Sequence, residues 1–232
     1  MNKNFEVILL DIEGTTSPID FVYNTLFPYA RERLSAYLEM HELSEDLQDT
    51  LRTLKAEFLN DTAAATAIPS YTPLSYLNYL MDQDKKSPAL KSIQGKIWES
   101  GFKSGELQGA LYPDVAPALE RWRSAGYKTY IYSSGSVLAQ KLLFQFSVAG
   151  NLTCFLYGHF DTAIGAKIES KSYQTIAEKI YTDPKQILFI SDAPKELIAA
   201  KAAGCQVLFS DRPGNIYTND GGFETITSFD SI

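Results

Sequence analysis

Hydrophobic and polar positions change rhythm twice along this 232-residue chain. Residues 5–10, FEVILL, form a short, almost wholly apolar, β-rich run that stops at an acidic turn, DIEGTT. A run apolar on consecutive positions predicts a central strand of a parallel sheet, covered on both faces. The next stretch has a different period. FVYNTLFPYARERLSAYLEM, SEDLQDTLRTLKAEFL, PLSYLNYLMDQ and SPALKSIQGKIWESGF repeat apolar residues every three or four positions, as helices do, and none of them reads as a strand. Helix punctuation separates them: Ser44, the turn from Pro69 to Pro73, Ser87-Pro88 and Gly101.

After Pro113 strands and helices alternate. A helix over 115–125 closes at Gly126, and a strand over 127–132 (YKTYIY) ends at SSGS. The helix VLAQKLLFQF follows, then a third strand over LTCFLY and the helix SYQTIAEKI. A fourth strand, QILFI, ends at Ser191-Asp192; PKELIAAKAAG is a helix closed by Gly204, and CQVLF is a fifth strand. Such alternation means βαβ units on a parallel sheet. The expected fold is therefore α/β: a Rossmann-like parallel-sheet core of residues 1–18 and 110–232, with an all-helical domain, 19–109, inserted after the first strand.

Composition narrows the function. With 45% hydrophobic residues, a chain this long buries about 70% of its unfolded surface without staples. Its 21 Lys+Arg against 28 Asp+Glu give a net charge of −7, which argues against nucleic acid but leaves phosphorylated small molecules open. The cysteines, Cys154 and Cys205, sit in apolar runs with no disulfide or metal-thiolate spacing, and read as two buried free thiols of a reducing compartment. The apolar stretch at the N-terminus is too short for a signal peptide, and no run approaches the ~20 apolar residues of a membrane helix. A cytoplasmic protein with no membrane partner is expected.

In open α/β sheets ligands collect at the carboxyl ends of the strands. Asp11 with Glu13, Ser133 with Ser134, and Asp192 occupy those ends, and the loop GHFDTAIGAKIESKS brings Lys167 to the same edge. Carboxylates, hydroxyls, helix-start amides and a lysine converging there suit Mg²⁺ plus phosphate. An aspartate can attack phosphorus, and a lysine neutralises the phosphate charge that neighbouring carboxylates repel. Residues 133–136 also read as a helix N-cap, which uses the same backbone donors as phosphate binding. His41 and His159 read as surface or turn residues. Phe21, Trp98 and Phe102 read as packed helix faces, and Arg212-Pro213-Gly214-Asn215 as a turn near the chemistry but outside it. No G-x-x-x-x-G-K-[ST] loop occurs.

These features together resemble the haloacid dehalogenase superfamily: D-x-[DE]-G-T-[TV] after a strand, Ser/Thr ending the second core strand, a loop lysine and an acidic motif after the fourth strand. DIEGTTSPIDFV, DKKSPALKSIQGKIWESGFKSGEL, YSSGS, FDTAIGAKIESKSY, ISDAPKELIAAKAAG and RPGN are similar to its enolase-phosphatase (acireductone synthase) branch, over essentially the whole chain. The resemblance implies a bifunctional enzyme of methionine salvage, a cytoplasmic monomer (nuclear as well in a eukaryote) with one Mg²⁺ per subunit. It would enolise 2,3-diketo-5-methylthiopentyl 1-phosphate and dephosphorylate the enol to 1,2-dihydroxy-3-keto-5-methylthiopentene. By the same resemblance Asp11 is nucleophile and metal ligand, and Glu13 is acid/base with its backbone carbonyl on Mg²⁺. Ser133, Ser134 and Lys167 bind phosphate or substrate, Lys167 also stabilising charge, and Asp192 is the remaining metal carboxylate. Alternatives are a sugar-phosphate phosphatase or mutase of the same superfamily, or a non-catalytic phospho-acceptor domain, which the long insertion disfavours.

Two departures from the general superfamily pattern stand out. Glu13 replaces the usual aspartate, as in the enolase-phosphatase branch. Asp192 is followed by Glu196 rather than by a nearby second aspartate. Glu196, two residues after Pro194, reads as a first-turn anion meeting the helix dipole rather than as a metal ligand. An insertion placed directly after the nucleophile strand emerges at the catalytic edge, so the helical domain is expected to act as a closing cap.

Overall fold

Val7–Leu10 (β1) is buried at every position, because parallel partners flank it and both of its faces are covered. The computed structural model that shows this describes residues 5–232. Residues 1–4, the start of the expected 1–18 core segment and of the stretch weighed as a signal peptide, lie outside the described residues. The remaining strands are Lys128–Tyr132 (β2), Leu156–Phe160 (β3), Ile187–Ser191 (β4), Gln206–Ser210 (β5) and Thr225–Ile226 (β6). All pair in parallel in the order β3-β2-β1-β4-β5-β6. The chain builds outward from β1 first through β2 to β3, then returns to β4 on the other side. That reversal opens a crevice at the carboxyl ends of β1 and β4.

Two compact units result, one running to Tyr23 and resuming at Gln108–Ile232, the other Asn24–Leu107. Ile19–Phe21 (α1) leads into a π-helical segment, Val22–Leu26. The helical unit then contains Phe27–Met40 (α2), Glu45–Asn60 (α3), Thr62–Ala67 (α4), Pro73–Asp82 (α5) and Pro88–Ser104 (α6). Side chains of Ser44, Thr72 and Ser87 cap α3, α5 and α6, each accepting an otherwise orphaned N–H. Its core holds Leu34, Leu54, Leu77, Ile93 and Ile97, with Trp98 and Phe102 also buried. Gly101, expected to mark a helix break, lies inside α6. Its missing side chain leaves room for the Tyr29 ring, whose hydroxyl oxygen would stand 2.5 Å from a Cβ there. The helix ends instead at Gly105, in the left-handed conformation.

In the sheet unit, Val115–Ser124 (α7), Val137–Gln145 (α8), Ser170–Lys179 (α9) and Pro194–Ala202 (α10) complete the α/β pattern. Val7, Leu9, Tyr132, Tyr173, Ile176, Phe189, Leu197 and Phe209 pack into one core cluster. Each large side chain so buried contributes roughly 1.5–3 kcal/mol. Among the described residues no helix is long and apolar enough to cross a membrane.

Three expectations need correction here. The third strand is not LTCFLY: Thr153–Phe155 is a 3₁₀ turn, and the strand starts at Leu156 and takes in His159. His159 is therefore a half-buried strand residue rather than a surface one. Its Nδ1 lies 3.3 Å from Gln140 Oε1, and burial, with Lys141 nearby, pushes its pKa down to about 4. The cysteines also differ from each other. Cys205 is buried, and its thiol is pushed up to about 12, whereas Cys154 is exposed on the 3₁₀ turn. A thiolate is the reactive species. Iodoacetamide on the native protein should therefore modify Cys154 and spare Cys205, as peptide mass mapping would show. Equal labelling of both would contradict the burial of Cys205.

Candidate active site

Asp11 leaves the end of β1 into a tight turn in which the amides of Thr15, Thr16 and Ser17 all converge on the Ile12 carbonyl. Gly14 makes that turn possible: its φ is +68°, and a Cβ there would meet Asp192 Oδ2 at 2.4 Å and Asn215 Oδ1 at 2.8 Å. The Thr16 hydroxyl donates back to the Asp11 carbonyl. The Asp11 side chain is gripped from both ends. Its Oδ1 accepts from the Ile12 amide at 2.8 Å and from Lys167 Nζ at 2.6 Å, and its Oδ2 lies 3.0 Å from the Ser191 hydroxyl.

Lys167 reaches Asp11 from the 161–169 loop, and only 6% of it is exposed. Three buried hydroxyls hold the loop by three successive carbonyls. Tyr132 donates to Gly165 O at 2.9 Å, Ser172 to Ala166 O at 2.7 Å, and Tyr173 to Lys167 O at 2.7 Å. The Tyr132 ring also lies 5.8 Å from the ammonium, within reach of a cation–π attraction. On its other side Lys167 Nζ meets Glu196 Oε2 at 2.7 Å. Glu196 occupies the first turn of α10 as expected, but it also points back to the end of β4 and shares Ser191 with Asp11.

Ser133, at the end of β2, donates to Glu13 Oε2 at 3.2 Å and accepts the Gly135 amide at 3.0 Å. Ser134 lies in the same loop, just before α8, whose N-terminus Ser136 caps through the Ala139 amide. Buried Gln140 ties this loop to β3 by donating to both Gly135 O and Phe160 O. Asp192 follows β4 and lies over the open face of Gly14. The structure thus gathers Asp11, Glu13, Ser133, Lys167 and Asp192 at one edge and sets Ser134 in the loop beside them.

Sequence reasoning passed over four contributors, Ser191, Tyr132, Ser172 and Tyr173, and took Glu196 only as an anion in the first turn of α10. The turn read as lying outside the chemistry, at residues 212–215, is bolted to the site. Arg212 is buried and pairs with both Asp114 oxygens, at 3.1 and 2.8 Å. Asn215 Nδ2 donates to Gly14 O and to Ser210 O, each at 2.9 Å.

One ammonium faces four carboxyl groups here. Burial raises Asp192 to about 8, with Asp11 and Glu196 adding to the effect, and raises Glu196 to about 7, with Asp11 adding and Lys167 opposing. Glu13 is raised by burial and then by Asp11. Burial alone would lower Lys167, but Asp11 and Glu196 more than reverse this and keep it protonated. Buried carboxylates in such excess call for a second cation. Their donors are all oxygen, which fits a hard divalent ion. Among the described residues no three His, Cys, Asp or Glu side chains are arranged to ligate a metal. Such oxygen donors suit Mg²⁺, which keeps waters and phosphate in its shell, and Asp11, Asp192 and the Glu13 carbonyl could hold it.

The model of the haloacid dehalogenase-like hydrolases matches residues 5–204 of the chain. The chain is 47% identical over 231 residues to the enolase-phosphatase E1 of Synechococcus elongatus, covering 97% of this chain and 96% of the relative. It is 42% identical to the enolase-phosphatase E1 of Danio rerio, with 99% and 95% covered. The crystal structure of the UTR4 protein of Saccharomyces cerevisiae superposes with a TM-score of 0.81 at 32% identity, over 99% of this chain and all of that one.

Proposed function

The chain belongs to the haloacid dehalogenase-like hydrolases and, within them, to the enolase-phosphatases, and on that premise we propose that it enolises 2,3-diketo-5-methylthiopentyl 1-phosphate and then removes the phosphate to give 1,2-dihydroxy-3-keto-5-methylthiopentene. The observation that carries this reading is the buried Asp11–Lys167 contact at the carboxyl end of the central strand, with Glu13 two residues on and Ser133 bound to it. A carboxylate held on one side by an ammonium and an amide is preorganised to meet phosphorus.

In the phosphatase step an Asp11 oxygen forms a bond to phosphorus as the bond from phosphorus to the C1 oxygen breaks. Glu13, whose environment favours its protonated form, gives its proton to the departing oxygen. Glu13 then takes a proton from water as that water attacks the phosphorus of the aspartyl-phosphate, which frees Asp11 and inorganic phosphate. Lys167 offsets charge on the phosphoryl oxygens, and Ser133 and Ser134 bind the phosphate beside the first turn of α8. Mg²⁺, when bound by Asp11, Asp192 and the Glu13 carbonyl, supplies charge neutralisation on the transferring group.

The test is to incubate purified protein with the diketo phosphate and Mg²⁺ while following enol absorbance and phosphate release separately. Both signals should appear, the enol first, and a chelator should silence phosphate release until Mg²⁺ is restored. Phosphate release with no enol product would leave only a simple phosphatase, and full activity in excess chelator would remove the metal from the reaction.

A further inference from the structure

Asn215 carries an anomaly. Its Oδ1 is buried with no hydrogen-bond partner, which is uncommon for a buried side-chain oxygen. The orientation of the amide is fixed chemically. Both groups on the other side, Gly14 O and Ser210 O, are carbonyls and need the two N–H donors of Nδ2. Oδ1 must therefore face the open side of Gly14, where Asp192 Oδ2 also lies: the two oxygens stand 2.8 and 2.4 Å from the same point, the place a Gly14 Cβ would occupy. Two oxygens then border one small space. A group that brings hydrogen to Asn215 and positive charge to Asp192 satisfies both.

We propose that Asn215 is a positioning residue for the divalent cation at Asp192, its Oδ1 accepting a hydrogen bond from a water in that cation's shell. The inference rests on the Mg²⁺ reading above and deepens it. Mg²⁺ sheds its waters reluctantly, and the groups that receive hydrogen bonds from its shell orient the ion. Asn suits the position as no other side chain of its size does. Its nitrogen locks the Gly14 carbonyl while its oxygen stays available to the metal water. The turn that presents it is held rigidly by the Arg212–Asp114 pair, and Tyr112 donates to Pro213 O.

The experiment is Mg²⁺ titration of the chelator-stripped full chain by calorimetry, with Mn²⁺ binding by electron paramagnetic resonance as a second reading. Circular dichroism melting of each variant verifies the fold. Asn215→Ala should weaken Mg²⁺ binding about 10–100-fold, the scale of losing such an outer partner. Ser210→Ala is the control: it removes another donor to the same Gly14 carbonyl, at 3.1 Å, and leaves Oδ1 untouched. It should bind Mg²⁺ as the unaltered chain does. Asn215→Asp keeps an oxygen at Oδ1 while losing both donors, and should bind Mg²⁺ more tightly than Asn215→Ala; if the alanine variant does not fold, the aspartate variant is compared with Ser210→Ala instead. Mg²⁺ affinity unchanged in Asn215→Ala overturns the inference. So does an equal loss in Asn215→Ala and Ser210→Ala, or an aspartate variant as weak as the alanine one. An unaltered chain that binds no Mg²⁺ overturns the metal reading itself, a result distinct from these.

Discussion

Asp11→Asn should abolish phosphate release, lowering it by roughly 10⁴–10⁶-fold, the range that follows loss of a covalent nucleophile or its partner. The amide has the shape of the carboxylate and can still accept the Ile12 amide and Lys167 through its oxygen, so the turn and the Lys167 loop keep their places. What it cannot do is form an acyl phosphate, because an amide oxygen is a poor nucleophile. Stability should change little: Lys167 retains Glu196 at 2.7 Å as a counter-charge, and the substitution removes one of four crowded acidic groups. The two half-reactions should separate in this variant. Enolisation forms no phosphoenzyme, so enol absorbance should still rise while phosphate stays bound to carbon. Stopped-flow absorbance with a parallel phosphate assay reads both. Phosphate release within about tenfold of the unaltered enzyme would take Asp11 out of the nucleophile role.

The strands legible in the sequence were those inside the sheet, with a partner on each side. β1, β4 and β5 are central or nearly so, and their apolar runs match the observed limits to within two residues. β3 was misplaced because it is an edge strand: LYGHF carries glycine, histidine and an exposed tyrosine, while the apolar signal sits one turn earlier in LTCF. An apolar run reports burial rather than conformation, and at a sheet edge the two part company. β6, two residues long, has no pattern to find. Within the helical unit, Gly101 misled because a glycine can mark close packing as well as a break, and only the Tyr29 ring distinguishes the two.

The candidate site was legible where strand ends place it, and illegible where loops complete it. Asp11, Ser133 and Asp192 follow directly from β1, β2 and β4, whose ends a parallel sheet brings together. Lys167 could be assigned to an edge but not to a partner, because the serine and tyrosine of GAKIESKSY do not announce that they hold carbonyls six residues back. Ser172 and Tyr173 set the loop's course locally, and only Tyr132 reaches it from a distant strand. Glu196 was read as a partner of the helix dipole, which it is, but its second contact exists only because that loop delivers Lys167. Asn215 was assigned to a turn, and its link to Gly14 spans two hundred and one residues.

Lys167→Met should separate charge from packing at this site. Methionine keeps most of the aliphatic stem, and the three hydroxyls holding Gly165 O, Ala166 O and Lys167 O act on the backbone, so the loop should keep its course. The missing ammonium then acts twice. In catalysis, loss of a preorganised electrostatic donor lowers turnover by roughly 10²–10³-fold. In stability, Asp11 and Glu196 lose the cation that bridges them at 2.6 and 2.7 Å, and breaking a buried pair from one side costs about 3–5 kcal/mol. Part of that cost is recoverable, since protonation of a carboxyl or binding of a divalent cation reduces the same repulsion. The variant should therefore melt well below the unaltered protein in chelator and regain much of the difference when Mg²⁺ is added, whereas its turnover should stay low under both conditions. On the proposed mechanism Mg²⁺ would offset the surplus charge of the carboxylates but would not replace the positive charge that Lys167 would place on the phosphoryl oxygens. Melting by circular dichroism and turnover in matched buffers would decide it. A variant that melts normally in chelator would mean that the ammonium does not hold Asp11 and Glu196 together, and near-normal turnover would place the Lys167 side chain outside the reaction.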